Sequence, residues 1–208
     1  TIKQAKLSKR ISRIIVSTES ERVAAVARRY KAEVPFLRPK HLAEDQSLVV
    51  DAIVDLLEKL KKVQNYSPDL LVLLQPTSPL RQPIDIDNAI DLLLRRRTNA
   101  VLSVCRTEQL VFTKDTLDRL HLESNPAFLR STNRQQLPPT YRFDGCTGYV
   151  IKPKTLFKEK TFFPKSTCAY VIPRWRAVDL DEPDDFIVGE VIYNKRHAID
   201  KALEHFKL

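Results

Sequence analysis

The sequence predicts a doubly wound α/β fold, and two observations carry the prediction. Short runs that are apolar at nearly every position, LLVLL at 70–74 and AVLSVC at 100–105, alternate with longer stretches of helical spacing. A uniformly apolar strand is typical of a sheet covered on both faces, so the alternation reads as strand, helix, strand in one layered domain. The chain has 208 residues, 43% hydrophobic and 29% charged. That is enough for a single domain with a real core and too apolar for disorder.

Taken in order, residues 1–10 read as the end of a helix with Ile2, Ala5 and Leu7 on one side. Residues 12–18 (SRIIVST) are β-branched and apolar, hence a buried strand. Residues 20–30 return to helical period behind a Ser20 cap. Two prolines keep 33–39 (EVPFLRP) extended. Residues 47–63 form an amphipathic helix that buries Val50, Ile53, Val54, Leu57 and Leu60. After the strand at 70–74, residues 83–97 form a helix with Ile84, Ile86, Ile90, Leu93 and Leu94 as its apolar set. The strand at 100–105 follows.

From about 106 to 173 prolines cluster and strands shorten, which reads as loops and hairpins laid over the sheet, or an extension reaching a partner chain. Two further strands are expected at 169–172 and 176–180, and a closing helix at 184–206. All 208 residues are read as one domain.

Lysine and arginine (35) outnumber aspartate and glutamate (26), for a net charge of +9. The basic residues are scattered, and the run Arg95-Arg96-Arg97 suits a helix C-terminus. The excess is read as attraction for a small polyanionic substrate, not as a nucleic-acid surface. No apolar run reaches the roughly 18 to 20 residues of a membrane helix, and no secretory signal opens the chain. Cys105, Cys146 and Cys168 lack paired spacing and are read as reduced thiols of a cytoplasmic protein. His41, His121, His197 and His205 lack ligand spacing, and there is no Gly-rich phosphate loop or nucleophile elbow.

Three segments fall where ligands collect in such folds, beyond the carboxyl ends of strands. Residues 75–81 (QPTSPLR) place an amide (Gln75), two hydroxyls (Thr77, Ser78) and a guanidinium (Arg81) on a backbone stiffened by two prolines. The same residues also read as a plain turn, with Ser78 capping the next helix. In Asp179-Leu180-Asp181, an extended backbone would set both carboxylates on one face, a pairing that suits Mg²⁺ held jointly with substrate phosphates. Alternatively these aspartates extend an acidic helix start with Glu182, Asp184 and Asp185. Residues 134–145 (RQQLPPTYRFDG) carry Arg134 and Arg142 among amides and aromatics, a set able to hold a carboxylate and a polyhydroxylated ring, or else a solvated loop.

In this order, RIIVSTES, AEVPFLRP, LLQPTSPLR, RQQLPPTYRFDG, TFF and AVDLDEPDDF resemble the acylneuraminate cytidylyltransferases over most of the chain. The resemblance implies a Rossmann-like nucleotidyltransferase fold and a homodimer whose extension reaches the partner's site. It implies attack by a sugar's anomeric hydroxyl on the α-phosphate of CTP, with Mg²⁺ required and pyrophosphate leaving. Asp179 and Asp181 then stand for the metal carboxylates, Gln75 and Ser78 for substrate contacts, and Arg38 for a nucleotide-side contact. Arg134, Gln135 and Arg142 stand around the acidic sugar, with Phe162, Phe163 and Tyr149 around its N-acyl methyl. As an ordinary reading, two phenylalanines before a proline are core.

The departures are specific. The family's first strand and its Arg/Gly/Ser/Lys-rich triphosphate loop have no counterpart ahead of Thr1, and that strand would lie between 12–18 and 70–74. Leu48 and Val49 stand where many members carry small hydroxyl residues, Asp144 replaces the usual Asn before Gly145, and an extra residue precedes Tyr149. A related acidic sugar, GTP in place of CTP, and a truncated non-catalytic chain that dimerises therefore stay open as alternatives.

Overall fold

The computed structural model describes residues 1–107, 111–123, 139–143 and 148–205. Its elements in chain order are α1 (Ile2–Leu7), α2 (Glu21–Arg29), α3 (Val49–Gln64), β1 (Leu71–Leu73), α4 (Pro83–Arg96), β2 (Ala100–Thr107), β3 (Phe112–Lys114), β4 (Leu120–Leu122), β5 (Thr140–Phe143), β6 (Tyr149–Ile151), α5 (Pro153–Glu159), β7 (Thr167–Ile172) and α6 (Pro183–His205).

The helices begin where local chemistry starts them. Ser20 caps α2 by accepting from the Val23 N–H. Pro83 opens α4 and Pro153 opens α5, because a first-turn position has no need of an N–H. Left-handed Asn65 and Arg97 end α3 and α4.

β1, β6, β2 and β5 form one sheet path, and β7 pairs with the other edge of β2. β2 and β7 are parallel over Ala100↔Thr167 to Cys105↔Ile172. β6 runs antiparallel between β1 and β2, and β5 runs antiparallel along the outer half of β2. Hence β1, β2 and β7 point one way, and their carboxyl ends share one edge of the molecule. β3 and β4 form a separate hairpin. Within 106–173, then, β5, β6 and β7 complete the main sheet, and the hairpin stands off it.

Strand alternation divides the apolar residues between two layers. Leu71, Leu73, Ala100, Leu102, Tyr149 and Ile151 pack toward Val50, Ile53, Val54 and Leu57 of α3. Leu70, Val72, Leu74, Val101 and Val150 pack toward Ile86, Ala89, Ile90 and Leu93 of α4. Helices thus cover both faces, as the uniformly apolar strands require. Ile84 and Leu94, expected in the apolar set of α4, are instead more than half exposed, because the stripe that meets the sheet is narrower than the sequence pattern.

Residues 12–18 form no full strand. Ile15 makes one parallel bridge to Glu33, with the Val16 N–H donating to the Glu33 carbonyl at 2.8 Å. A two-pronged Arg13–Glu33 ion pair and stacking of Arg13 on Tyr66, 4.5 Å from the ring centroid, hold the start of this segment beside the residues leading into β1. Between 12–18 and β1 lies a cleft of about 1730 Å³, lined by apolar residues of both segments and of α3 and α4. This is the place the resemblance gives to a further strand. Gly148 and Lys152 bond toward β2, so Tyr149 and Ile151 bond to Leu73 and Leu71. The Val72 N–H and C=O therefore face the cleft. Accordingly 70–75 and 13–17 are only half-buried despite their largely apolar sequence.

The 176–180 stretch, expected as a strand, is the end of a 3₁₀ turn (Arg174–Arg176) followed by irregular chain. Here backbone bonds serve the turn and the neighbouring loop, not a ladder.

Gly148 enters β6 with φ +82°, and a Cβ there would lie 1.7 Å from the Leu73 carbonyl oxygen. Gly148→Ala should therefore lower unfolding stability by about 3 kcal/mol or more. Urea denaturation measures this, and an unchanged midpoint would contradict the β1–β6 packing.

Candidate active site

The loop that leaves the carboxyl end of β1 carries QPTSPLR, and the chain that leaves β7 carries DLD. The structure brings the two together. The Ser78 hydroxyl donates to Asp179 Oδ1 at 3.2 Å, and the Leu180 N–H donates to the Thr77 carbonyl at 2.9 Å. Ser78 is fully buried and Asp179 half-buried, so this contact is shielded from bulk water. Ser78 is not the helix cap that its plain-turn reading expects. Gln82, four residues after Ser78, is the N-cap of α4, and its N–H donates to the Asp85 carboxylate three residues on. Asp181 is exposed, and its N–H donates to Asp185 Oδ2 at 3.0 Å as α6 begins.

Arg81 organises the loop from beneath. Its side chain is fully buried, with Nη2 donating to the Gln75 carbonyl at 2.6 Å and Nη1 to Thr1 Oγ1 at 3.0 Å. The Gln75 carbonyl also accepts from Thr1 Oγ1 at 3.4 Å. A guanidinium suits this task because its planar fork serves several acceptors at once.

Arg142 on β5 donates to the Ala177 carbonyl at 3.2 Å, two residues before Asp179. Arg38 binds the Ser17 hydroxyl and carbonyl, and it lines the cleft together with Gln75 and Pro76. Tyr149 pairs with Leu73, two residues before Gln75, and so lies at the same end of the sheet. Its ring meets Phe162 at 4.8 Å, Phe143 at 5.0 Å and Phe163 at 5.5 Å. The two phenylalanines differ in burial: Phe162 is core, whereas Phe163 is 57% exposed with its ring edge-on to the buried tyrosine. Arg134 and Gln135 lie outside the described residues.

Three residues to which the sequence alone gives no role complete the arrangement. Asp85, 1% exposed, accepts from Arg176 Nη1 at 2.9 Å and 3.1 Å, from the Tyr170 hydroxyl at 3.1 Å and from the Gln82 N–H at 2.9 Å. Burial, and secondarily the Asp85 carboxylate, push the Tyr170 phenol above its ordinary value. Only the Gln82–Asp85 spacing hints at this in the sequence, as a capping box.

As a metal centre, Asp179 and Asp181 would offer two carboxylates. No group of three or more His, Cys, Asp or Glu residues gathers among the described residues. Two oxygens suit Mg²⁺, which keeps several waters and takes its remaining ligands from phosphates, better than an all-protein cage would.

The cytidylyltransferase family profile matches residues 1–172, well over half of the chain. The chain belongs to the cytidylyltransferase family. It is thus an enzyme of the nucleotidyltransferase class. The CMP-N,N'-diacetyllegionaminic acid synthase of Legionella pneumophila is 30% identical over 200 residues, covering 91% of this chain and 82% of that protein. The N-acylneuraminate cytidylyltransferase of Streptococcus agalactiae (serotype III) is 29% identical over 184 residues, 87% of this chain and 43% of the relative. Among solved structures, a CMP:2-keto-3-deoxy-manno-octonic acid synthetase complexed with CTP superposes with a TM-score of 0.62 at 10% identity, over 95% of this chain and 86% of that one. That likeness shows the nucleotidyltransferase fold. No helix among the described residues is long and apolar enough to cross a membrane.

Replacing Arg81 by Ala strips a buried carbonyl of a charged donor and should lower stability by about 3 kcal/mol. Chemical denaturation reads the loss, and a variant as stable as the parent would show that Arg81 does not hold the loop.

Proposed function

We propose that this cytidylyltransferase joins CMP from CTP to an N-acylated nonulosonic acid of the sialic or legionaminic type, releasing pyrophosphate. The observation that carries the reading is the Ser78–Asp179 contact, which sets the polar loop after β1 against the acidic chain after β7. Relatives named for N-acylneuraminate and for N,N'-diacetyllegionaminic acid support the sugar class.

Each group has work to do in such a transfer. Asp179 and Asp181 would hold Mg²⁺, which when bound offsets charge on the phosphates of the nucleotide. Ser78 orients the Asp179 carboxylate by donating to it. Gln75 and Arg38 both line the cleft, where the amide would contact substrate and the guanidinium would supply positive charge for the nucleotide. Arg142, together with Arg134 and Gln135, would meet the sugar's carboxylate and hydroxyls. Phe163, backed by Tyr149, forms an apolar wall for the N-acyl methyl. Holding the anomeric hydroxyl in line with the α-phosphate removes much of the entropic barrier to a two-substrate reaction. Homodimerisation is part of the reading, supported by exposed apolar side chains on the β3–β4 hairpin and on α6, including Leu117, Leu120, Phe186 and Ile187. A cytoplasmic setting is supported by the free thiols Cys105 and Cys168.

Pyrophosphate release with Mg²⁺, CTP and N-acetylneuraminate or N,N'-diacetyllegionaminate tests the proposal. Asp179→Ala and Asp181→Ala should each lower kcat at least about a hundredfold, and Asp181→Ala, at an exposed position, should leave the thermal midpoint unmoved. Parent rates in either variant would remove that residue from the site. Phe163→Ala should raise KM for the sugar about tenfold and leave KM for CTP unchanged. An equal change in both would place the ring outside the sugar site.

A further inference from the structure

The pair of buried Asp85 and partly buried Arg176 stands apart from every residue assigned a substrate contact, yet it lies at the root of both proposed catalytic segments. Asp85 sits in the first turn of α4, directly after the 75–81 loop, and its Oδ2 accepts from the Gln82 N–H that ends the loop. Arg176 ends the 3₁₀ turn, three residues before Asp179. The guanidinium of Arg176 reaches both Asp85 oxygens, and its Nη2 lies 3.7 Å from Asp200 on α6. Tyr170 on β7 donates to Asp85 as well, so one carboxylate ties together β7, the loop and the approach to DLD. Between this junction and Asp179, Ala177 is buried and its carbonyl is held by Arg142.

We propose that Asp85 and Arg176 are positioning residues for nucleotidyl transfer: their ion pair sets the loop of Gln75 and Ser78 at the separation from Asp179 at which Ser78 can orient that carboxylate for a divalent cation. This rests on the reading of Asp179 as a metal carboxylate. Small displacements matter at such a site. Two carboxylates without further protein ligands depend on where their few oxygens point, and a shift of about 1 Å costs catalytic groups roughly a hundredfold. A buried ion pair is a stiff spacer because leaving either charge without its partner is expensive. Replacing both charges together by neutral side chains of similar volume leaves stability nearly unchanged, which separates positioning from folding.

The test is Mn²⁺ binding followed by electron paramagnetic resonance, with the thermal midpoint recorded for each protein. The variants are Arg176→Lys, the double variant Asp85→Asn/Arg176→Met, and Asp179→Ala as a control. In the double variant the asparagine would retain an acceptor for the Gln82 N–H, and the methionine would keep the apolar stem. The expected result is a double variant with a near-parent midpoint and Mn²⁺ affinity reduced at least about tenfold. Arg176→Lys keeps the charge but has no second nitrogen to reach Asp200 while its first meets Asp85, and it should fall between the double variant and the parent. A folded double variant with parent affinity overturns the proposal. If the double variant does not fold, Arg176→Lys decides: reduced affinity supports the positioning role and parent affinity overturns it. Asp179→Ala with undiminished Mn²⁺ binding overturns the metal reading and the positioning role with it. Loss in Asp179→Ala beside parent affinity in the Arg176 variants overturns the positioning role alone.

Discussion

The site depends on the Asp85 carboxylate, which receives a guanidinium, a phenol and a backbone N–H within the same few ångströms. A carboxylate this buried is tolerable only where nearly every lone pair finds a donor. Meeting that demand draws β7, the turn after it and the start of α4 to one point. The Ser78–Asp179 and Thr77–Leu180 contacts then follow, because the two loops leave this junction side by side. Arg81 plays the matching part inside the first loop, holding the Gln75 carbonyl from below.

Beneath the loops the sheet supplies direction. β1, β2 and β7 all end at the edge that carries the 75–81 loop, while the reversed β6 places Tyr149 beside Leu73 and so brings the aromatic group to that edge too. The two faces are served by separate helices, α3 and α4, and apolar alternation along each strand decides which side chain goes where. At the cleft between 12–18 and β1 the layering is incomplete. Apolar residues of β1 and of the 12–18 segment that a doubly wound sheet would bury are half-buried there, with the Val72 backbone groups facing the gap.

Periodicity makes the framework legible. The runs at 70–74 and 100–105, and the helices at 47–63 and 83–97, can be read because their burial is set by local spacing. The 12–18 run carries the same strand signal and makes only one bridge, since a strand also needs neighbours on its edges. The 176–180 segment departs from expectation for a related reason: its backbone partners, Thr77 and the turn at Pro173, are remote or local groups outside any ladder. Within the site, the motif residues Gln75, Ser78, Asp179 and Arg142 are legible as types. Asp85, Tyr170 and Arg176 are not, because their meaning lies in contacts spanning 85 and 91 residues of chain that no local pattern records. The difference between Phe162 and Phe163 is likewise invisible until the packing of Tyr149 shows which ring is covered.

Whether the loop after β1 and the acidic chain after β7 form one nucleotide-transfer site is decided by a crystal structure with CTP and Mn²⁺, locating the ion by its anomalous signal. The ion is expected within coordination distance of Asp179 and Asp181, with the triphosphate between it and the 75–81 loop. An ion bound to neither aspartate, or a nucleotide seated away from that loop, would contradict a shared site.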